Sequence, residues 1–408
     1  MGRRRQPGCL SWAPLIALIA TALTIGAIVT SPLVIDVVDP TRAAVDQLAA
    51  LEGQRQDPGK VRFGVQLDWQ NDSPQAYTDR VGRQPSLYGE FVEFPLRPQV
   101  ATWLDTKADQ VRGADAVFML TLEPLGGLGS ISDDSLRLLT ATLRAWNDTG
   151  VAVLVRFAHE MNGSWYPWGQ QPAAYIAAFR RVSTAVRAAP ASRIVWSPNE
   201  AGGYPFPLGD HGATPEQPDY GLLDTNGDGK LTAADDPYEP YYPGDEYVDW
   251  VGLSLYHFGY QYPWGANIVP EPGKFTGKIT GEYRDPGTSV AAPNFYQRYA
   301  ERPGKLMAIS ETSALFNTSR SGDGASDLDI KVNWWRQVTA DDIPTRLPRL
   351  RLINWFEQEK KEQDLAGVVT SWSIIRDPQI RGEFIATIPN WLEFPHTGPR
   401  GLLDHMIE

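Results

Sequence analysis

Two glutamates sit where a carboxyl group can do chemistry. Glu160 closes the run Val-Ala-Val-Leu-Val-Arg-Phe-Ala-His-Glu, residues 151–160, and Met161-Asn162-Gly163-Ser164-Trp165-Tyr166-Pro167-Trp168-Gly169 follows it. Glu311 closes Lys-Leu-Met-Ala-Ile-Ser-Glu, residues 305–311. Two facing carboxyl groups are what breaking a glycosidic bond requires. One gives a proton to the leaving oxygen, and the other, ionised, attacks the anomeric carbon. At a separation of about 5–5.5 Å the outcome is retention through a covalent intermediate. The neighbours assign the roles. His159, Trp165, Tyr166 and Trp168 give Glu160 an aromatic setting, and apolar cover raises a carboxyl pKa, as a proton donor needs. Glu311 lies between the hydroxyls of Ser310 and Thr312, which favour an anion. Either glutamate alone reads equally well as half of a salt bridge, so the argument rests on the pair.

The elements that must position them follow from residue 61 onward. Apolar, β-rich segments alternate with helical patterns, the signature of a parallel α/β architecture. The expected strands are Val61–Asp68, Tyr88–Phe94, Ala116–Glu123, Val151–Glu160, Arg193–Asn199, Val248–Tyr256, Lys305–Glu311 and Arg351–Phe356. Helices are expected over Ser132–Asn147, Pro172–Ala188 and Asp327–Gln337. Such units fit a (β/α)₈ TIM barrel of about 250 residues plus insertions. Asp68, Glu123, Glu160, Asn199, Tyr256, Glu311 and Trp355 fall at or beside strand C-termini, the face where these barrels carry their sites. Strands four and seven face each other across that mouth. Asp68, Glu123 and Asn199 are candidates for binding sugar hydroxyls.

The stretch Arg156–Gly163, with Trp165 and Trp168-Gly169, resembles the acid/base motif of glycoside hydrolase family 26. Val195–Asn199 resembles that family's fifth strand, Tyr241–Gly252 running on to Tyr256 its sixth, and Asn354-Trp355-Phe356 the end of its eighth. The resemblance runs from about Val61 to Asp377. It implies a TIM barrel with Glu160 as acid/base and Glu311 as nucleophile. It further implies that His159 contacts the sugar near the scissile bond and that Tyr256 hydrogen-bonds the nucleophile. Trp165 and Trp355 would line the subsites about the cleavage point, with Trp168 a further sugar platform. The family acts mainly on β-1,4-mannan, and some members act on mixed-linkage β-glucan or β-1,3-xylan. The endings Ser310-Glu311-Thr312 and Tyr256-His257 depart from the family's usual Ala-Glu-Phe and Gly-Tyr-Asn types, so the polymer stays open.

A second motif lies in a long insertion around residues 200–246. Asp224-Thr225-Asn226-Gly227-Asp228-Gly229-Lys230-Leu231-Thr232-Ala233-Ala234-Asp235 has EF-hand ligand spacing, with Gly229 at the sharp turn. Oxygens of Asp224, Asn226, Asp228, the Lys230 carbonyl and Asp235 would hold a structural Ca²⁺. Asp replaces the usual Glu at the last position, as in extracellular dockerin loops. The alternative is a polar turn without metal.

Arg3, Arg4 and Arg5 precede an uncharged run to Ile35, which reads as a signal peptide or signal anchor over residues 1–39. Its length favours the uncleaved anchor. Residues 40–60 then read as a polar stem, and 61–408 as the catalytic domain, outside the cytoplasm. The net charge of −12 leaves no basic stripe for a nucleic acid. The single cysteine, Cys9, excludes an intrachain disulfide, and no organic cofactor is called for. The function that fits is an endo-acting β-glycanase, mannan first. The same site on mixed-linkage glucan or β-1,3-xylan, and a non-catalytic, membrane-tethered glycan-binding barrel, are the alternatives.

Overall fold

The computed structural model describes residues 39–53, 59–259, 265–286, 290–362, 365 and 367–394. The expected N-terminal anchor lies outside the described residues. Among them, no helix is long and apolar enough to cross a membrane.

Eight parallel strands close into a barrel. They are β1 (Val61–Leu67), β2 (Leu87–Glu93), β3 (Val117–Glu123), β4 (Val153–Phe157), β5 (Ser192–Trp196), β6 (Trp250–Ser254), β7 (Leu306–Thr312) and, after the short strand β8 (Phe316–Asn317), β9 (Leu350–Glu357). Each pairs with the next, and β9 returns to β1 through Val65 opposite Trp355 and five neighbouring pairs. All eight fall on the expected segments, within a few residues at each end. β10 (Glu359–Glu362) and β11 (Val368–Ser371) join β8 in a small antiparallel sheet after β9, and β12 (Leu392–Glu393) pairs with the start of β1.

The helices start and stop for local reasons. α2 (Pro74–Val81) is capped by Ser73 and ends on Gly82 in the left-handed region. α3 (Pro98–Gly113) and α5 (Pro172–Arg187) open on proline, whose fixed φ suits a first turn. α4 (Asp133–Asp148) is capped by Ser132, whose oxygen accepts from the Ser135 amide; two aspartates in its first turn suit the helix dipole. Its Leu136, Leu139, Leu143 and Trp146 form the buried stripe. After the short α6 (Tyr220–Leu223) and α7 (Lys274–Thr280) come a π-helical turn, Tyr296–Glu301, then α8 (Asp327–Val338), α9 (Ile343–Arg346) and α10 (Pro378–Thr387).

Alternation along the strands splits the core in two. One set of side chains, Phe63, Val65, Phe118, Val155, Trp196, Ile309 and Trp355 among them, packs in the large cluster shared with the helices. The other set, Leu87, Met119, Leu154, Val195, Ala308 and Leu352, forms a second cluster closed by Ala44, Leu48 and Leu51. Those three belong to α1 (Pro40–Leu51), within the segment expected as a stem. The i, i+4, i+7 spacing of these residues gives the helix an apolar edge, and the barrel buries it.

Candidate active site

The turn after β4 is unusual. Ala158 and Glu160 both take positive φ, 45° and 55°, a conformation that non-glycine residues adopt at a cost and that clusters at functional sites. Two hydrogen bonds fix the turn: the Glu160 amide donates to Ser197 O at 2.9 Å, and Trp168 Nε1 donates to His159 O at 2.8 Å. Asn162 Nδ2 donates to Asn199 O while its Oδ1 accepts from the Asn199 amide, both at 2.9 Å, which ties the turn to the end of β5. Glu160 is thereby aimed into a cleft of about 1480 Å³ at the C-terminal mouth of the barrel. Trp165 Nε1 donates to its Oε2 at 2.9 Å.

Glu311 arrives from β7 in a different way. Strand alternation would place it on the same face as Ile309, among the helices. The pairing of β7 shifts register between Ile309 and Thr312 on one side and opposite Leu253–Ser254 on the other. That irregularity re-aims the side chain, and Glu311 lines the same cleft as Glu160. Tyr256 OH donates to its Oε2 at 2.5 Å, and Arg156 Nη1 to its Oε1. Arg156 is fully buried on β4; its Nε donates to Ser197 Oγ at 3.0 Å and its Nη2 to Ser254 Oγ at 2.6 Å.

The two carboxyls therefore have unlike settings. Burial, then the charge of Glu311, pushes the Glu160 carboxyl up to about 6, against the opposing pull of Arg156. Glu311 instead has a guanidinium and a phenol as direct hydrogen-bond donors. A carboxyl raised towards its protonated form and a second carboxyl held by a cation in the same cleft are the pair that proton donation to a leaving group and attack on the anomeric carbon require. Glu123, at the end of β3 in the same cleft, is raised to about 7 by burial, then by Glu311. His159 is held neutral, its pKa pushed well below the ordinary value by burial and by Arg156. Its Nε2 lies 3.2 Å from Tyr166 OH, and its Nδ1 is buried with no protein partner.

Other expected residues separate into two groups. Asn199, Tyr256, His159 and Trp165 line the cleft. Trp168 does not: it is fully buried and stacks on Tyr166, ring centroids 4.4 Å apart at 13°. A sugar cannot reach that ring, and Tyr166 carries the cleft surface above it. Trp355 is likewise buried, 1 % exposed. Asn354, Trp355 and Phe356 alternate across the strand, so Trp355 packs with the helix-side core while Phe356 lines the cleft. Asp68 is outside the cleft lining, where it pairs with Arg376 and accepts from Asn71 Nδ2 at 2.9 Å. The sequence reading passed over Arg156, although a lone charge inside an apolar strand was its signal. It also passed over Glu200, whose carboxylate meets Lys278 Nζ at 2.8 Å in the cleft wall.

In the insertion, Gly229 takes φ 81°, as the sharp turn of a calcium loop needs. The Asp224 oxygens accept from the amides of Asp228 at 3.0 Å and Gly229 at 2.7 Å. Asp228 Oδ1 accepts from the Lys230 amide at 2.9 Å, and Asn226 Oδ1 from the Asp228 amide at 2.9 Å. Asp235, 3 % exposed, accepts from the Asn226 and Thr232 amides. Among the described residues no three carboxylate, imidazole or thiolate groups are gathered as a metal shell.

Residues 129–200, which hold α4, β4, the turn with Glu160 and β5, match the model of glycosyl hydrolase family 26. The turn that carries Glu160 thus lies in a stretch similar to that family. Endoglucanase H of Acetivibrio thermocellus is 24 % identical over 229 residues. That match takes in 52 % of this chain and 22 % of the relative, so the chain meets about a fifth of that protein's length. A modular endo-β-1,4-mannanase from Cellulomonas fimi superposes with a TM-score of 0.52 at 16 % identity, over 87 % of this chain and 75 % of that one. That likeness is one of fold.

Proposed function

We propose that this chain is a glycoside hydrolase of the family 26 type, that it cleaves a β-linked polysaccharide with retention, and that β-1,4-mannan is its first substrate. Glu160 protonates the glycosidic oxygen while Glu311 attacks C1. Glu160 then takes a proton from the water that hydrolyses the glycosyl-enzyme. The observation that carries this reading is the contrast between the two carboxyls, Glu160 raised to about 6 and Glu311 bound by Arg156 and Tyr256. Tyr256 orients the nucleophile through its hydrogen bond to Glu311 Oε2. Asn199 and Glu123 are the polar groups left for hydroxyl binding, and Trp165 is the platform. Mannan comes first on the fold likeness to the Cellulomonas enzyme; the sequence match to an endoglucanase keeps mixed-linkage glucan as the second reading.

The protein is further proposed to work outside the cytoplasm and to hold a structural Ca²⁺ on Asp224, Asn226, Asp228, the Lys230 carbonyl and Asp235. The Gly229 turn and the all-oxygen donor set support the ion.

The test is reducing-sugar release from galactomannan, glucomannan, lichenan and β-1,3-xylan by the parent and by Glu311→Ala. One polymer should be cleaved by the parent, and the variant should lose at least about 10⁴-fold in kcat. A parent that binds a polymer without turnover overturns the catalytic reading in favour of a glycan-binding barrel.

A further inference from the structure

Two tryptophans stand out among the exposed large apolar side chains, Trp165 at 38 % and Trp103 at 46 %. The first donates to Glu160 and belongs to the cleft. The second lies outside it, and nothing in the reaction uses it. Its position is nonetheless close to the mouth. α3 follows the β2 strand end, so its first turns lie on the face that carries the site. There Trp103 lines a separate groove of about 400 Å³ with Phe91, Val92, Glu93, Gln99 and Val100. Phe91 lines both this groove and the catalytic cleft, and its ring lies 5.5 Å from that of His159. The groove thus adjoins the cleft across Phe91.

The ring of Trp103 is also held in place. Lys107 Nζ sits 3.6 Å from its centroid and 4.7 Å from that of Trp69, and it ion-pairs with Glu90, both partners being nearly buried. A cation over one face closes that face and fixes the plane. The exposed area therefore belongs to the opposite face and the edge. A flat apolar surface set before binding loses little entropy when it captures a ligand. Glu93 and Gln99 put polar groups beside it, the mixture of ring face and hydroxyl partners that a pyranose presents in complement.

We propose that Trp103 is a distal sugar-stacking platform, which takes a further ring of the neutral β-glycan chain whose scissile bond lies at Glu160 and Glu311. The identity of that chain rests on the function proposed above. The occupant is the substrate's own extension rather than a separate protein, because the groove adjoins the cleft across Phe91 and is small.

The test is affinity electrophoresis in native gels that contain galactomannan, glucomannan, lichenan or β-1,3-xylan, alongside hydrolysis of the polymer and of a trisaccharide. Trp103→Ala should bind the retarding polymer about two- to tenfold more weakly, the scale of one aromatic stacking contact. It should lose a similar factor in kcat/KM on the polymer and keep the parent's rate on the trisaccharide. Trp103→Phe, which keeps a ring over Lys107, should recover most of the retardation and guards against a folding artefact. A Trp103→Ala protein retarded as strongly as the parent overturns the platform while hydrolysis by the parent still supports the catalytic reading. A parent that is retarded without turnover, and a variant less retarded, uphold the platform and sink the catalytic reading. A parent neither retarded by nor active on any of the polymers overturns both.

Discussion

At the level of single residues, the arrangement makes a statement about pH. The Glu160 carboxyl is raised to about 6. As proton donor it works only while protonated, so kcat/KM should fall as pH rises through about 6. The Trp165 indole stabilises the ionised form and so holds that pKa down. Trp165→Phe should therefore move the alkaline limb of the pH–rate profile upward. An alkaline limb unmoved in that variant, or absent below pH 8 in the parent, would remove Glu160 as the donor. Glu123, raised to about 7, is separated by Glu123→Gln, which should leave the limb near 6 in place. Much of this was legible from the chain itself. Glu160 announced itself by its aromatic neighbours; burial does raise its carboxyl, although one of those neighbours, Trp165, pulls it the other way. Glu311 was legible only as a strand-end acid, because the register shift that turns it inward is a matter of pairing with β6 and β9, which no local pattern records. Arg156 was equally hidden in purpose: its partners lie 41, 98 and 155 residues along the chain.

At the level of elements, aromatic residues beside glycine and proline proved an ambiguous signal. Trp165 and Trp168 are three residues apart with similar neighbours, yet one faces the cleft and the other fills the core under Tyr166. Sequence spacing in an irregular turn carries no face, whereas in β9 the period of two does, and it sends Trp355 to the helix side. The consequence is measurable. Trp168→Ala should destabilise the fold by about 3–5 kcal/mol through the cavity it leaves, visible as a lowered Tm with loss of activity. Trp165→Ala should leave Tm nearly unchanged and weaken polymer turnover. Equal Tm values for the two variants would contradict the burial difference. The helix starts expected at Ser132, Pro172 and Asp327 are kept within a residue or so, whereas the capped starts of α2 at Ser73 and α10 at Asp377 were not anticipated.

For the whole molecule, the alternation of strand and helix gave the barrel, because every strand must be apolar enough to be covered on both sides. The α1 helix was not legible as part of it, since its apolar edge is only three residues and its partners are the lower ends of strands far along the chain. The insertion between β5 and β6 is where the fold meets solvent most, with much of residues 207–230 exposed. If it holds Ca²⁺, the ion binds only the folded form, so millimolar calcium should raise Tm and EDTA should return it to the metal-free value. Asp224→Ala and Asp228→Ala should abolish the rise without the catalytic carboxyls being touched. A Tm indifferent to calcium in the parent would leave the loop as a polar turn.

The Arg156 guanidinium joins side chains from β4, the end of β5, β6 and β7 at one point. Half of the barrel's circumference is thereby spanned by a single ion. Glu311 meets its cation only when those four segments have come into register, so in a partly closed barrel that pair is not made. The site thus senses closure: the proposed turnover belongs to the fully sealed cylinder, and the bonds that hold Glu311 leave an open barrel electrostatically incomplete.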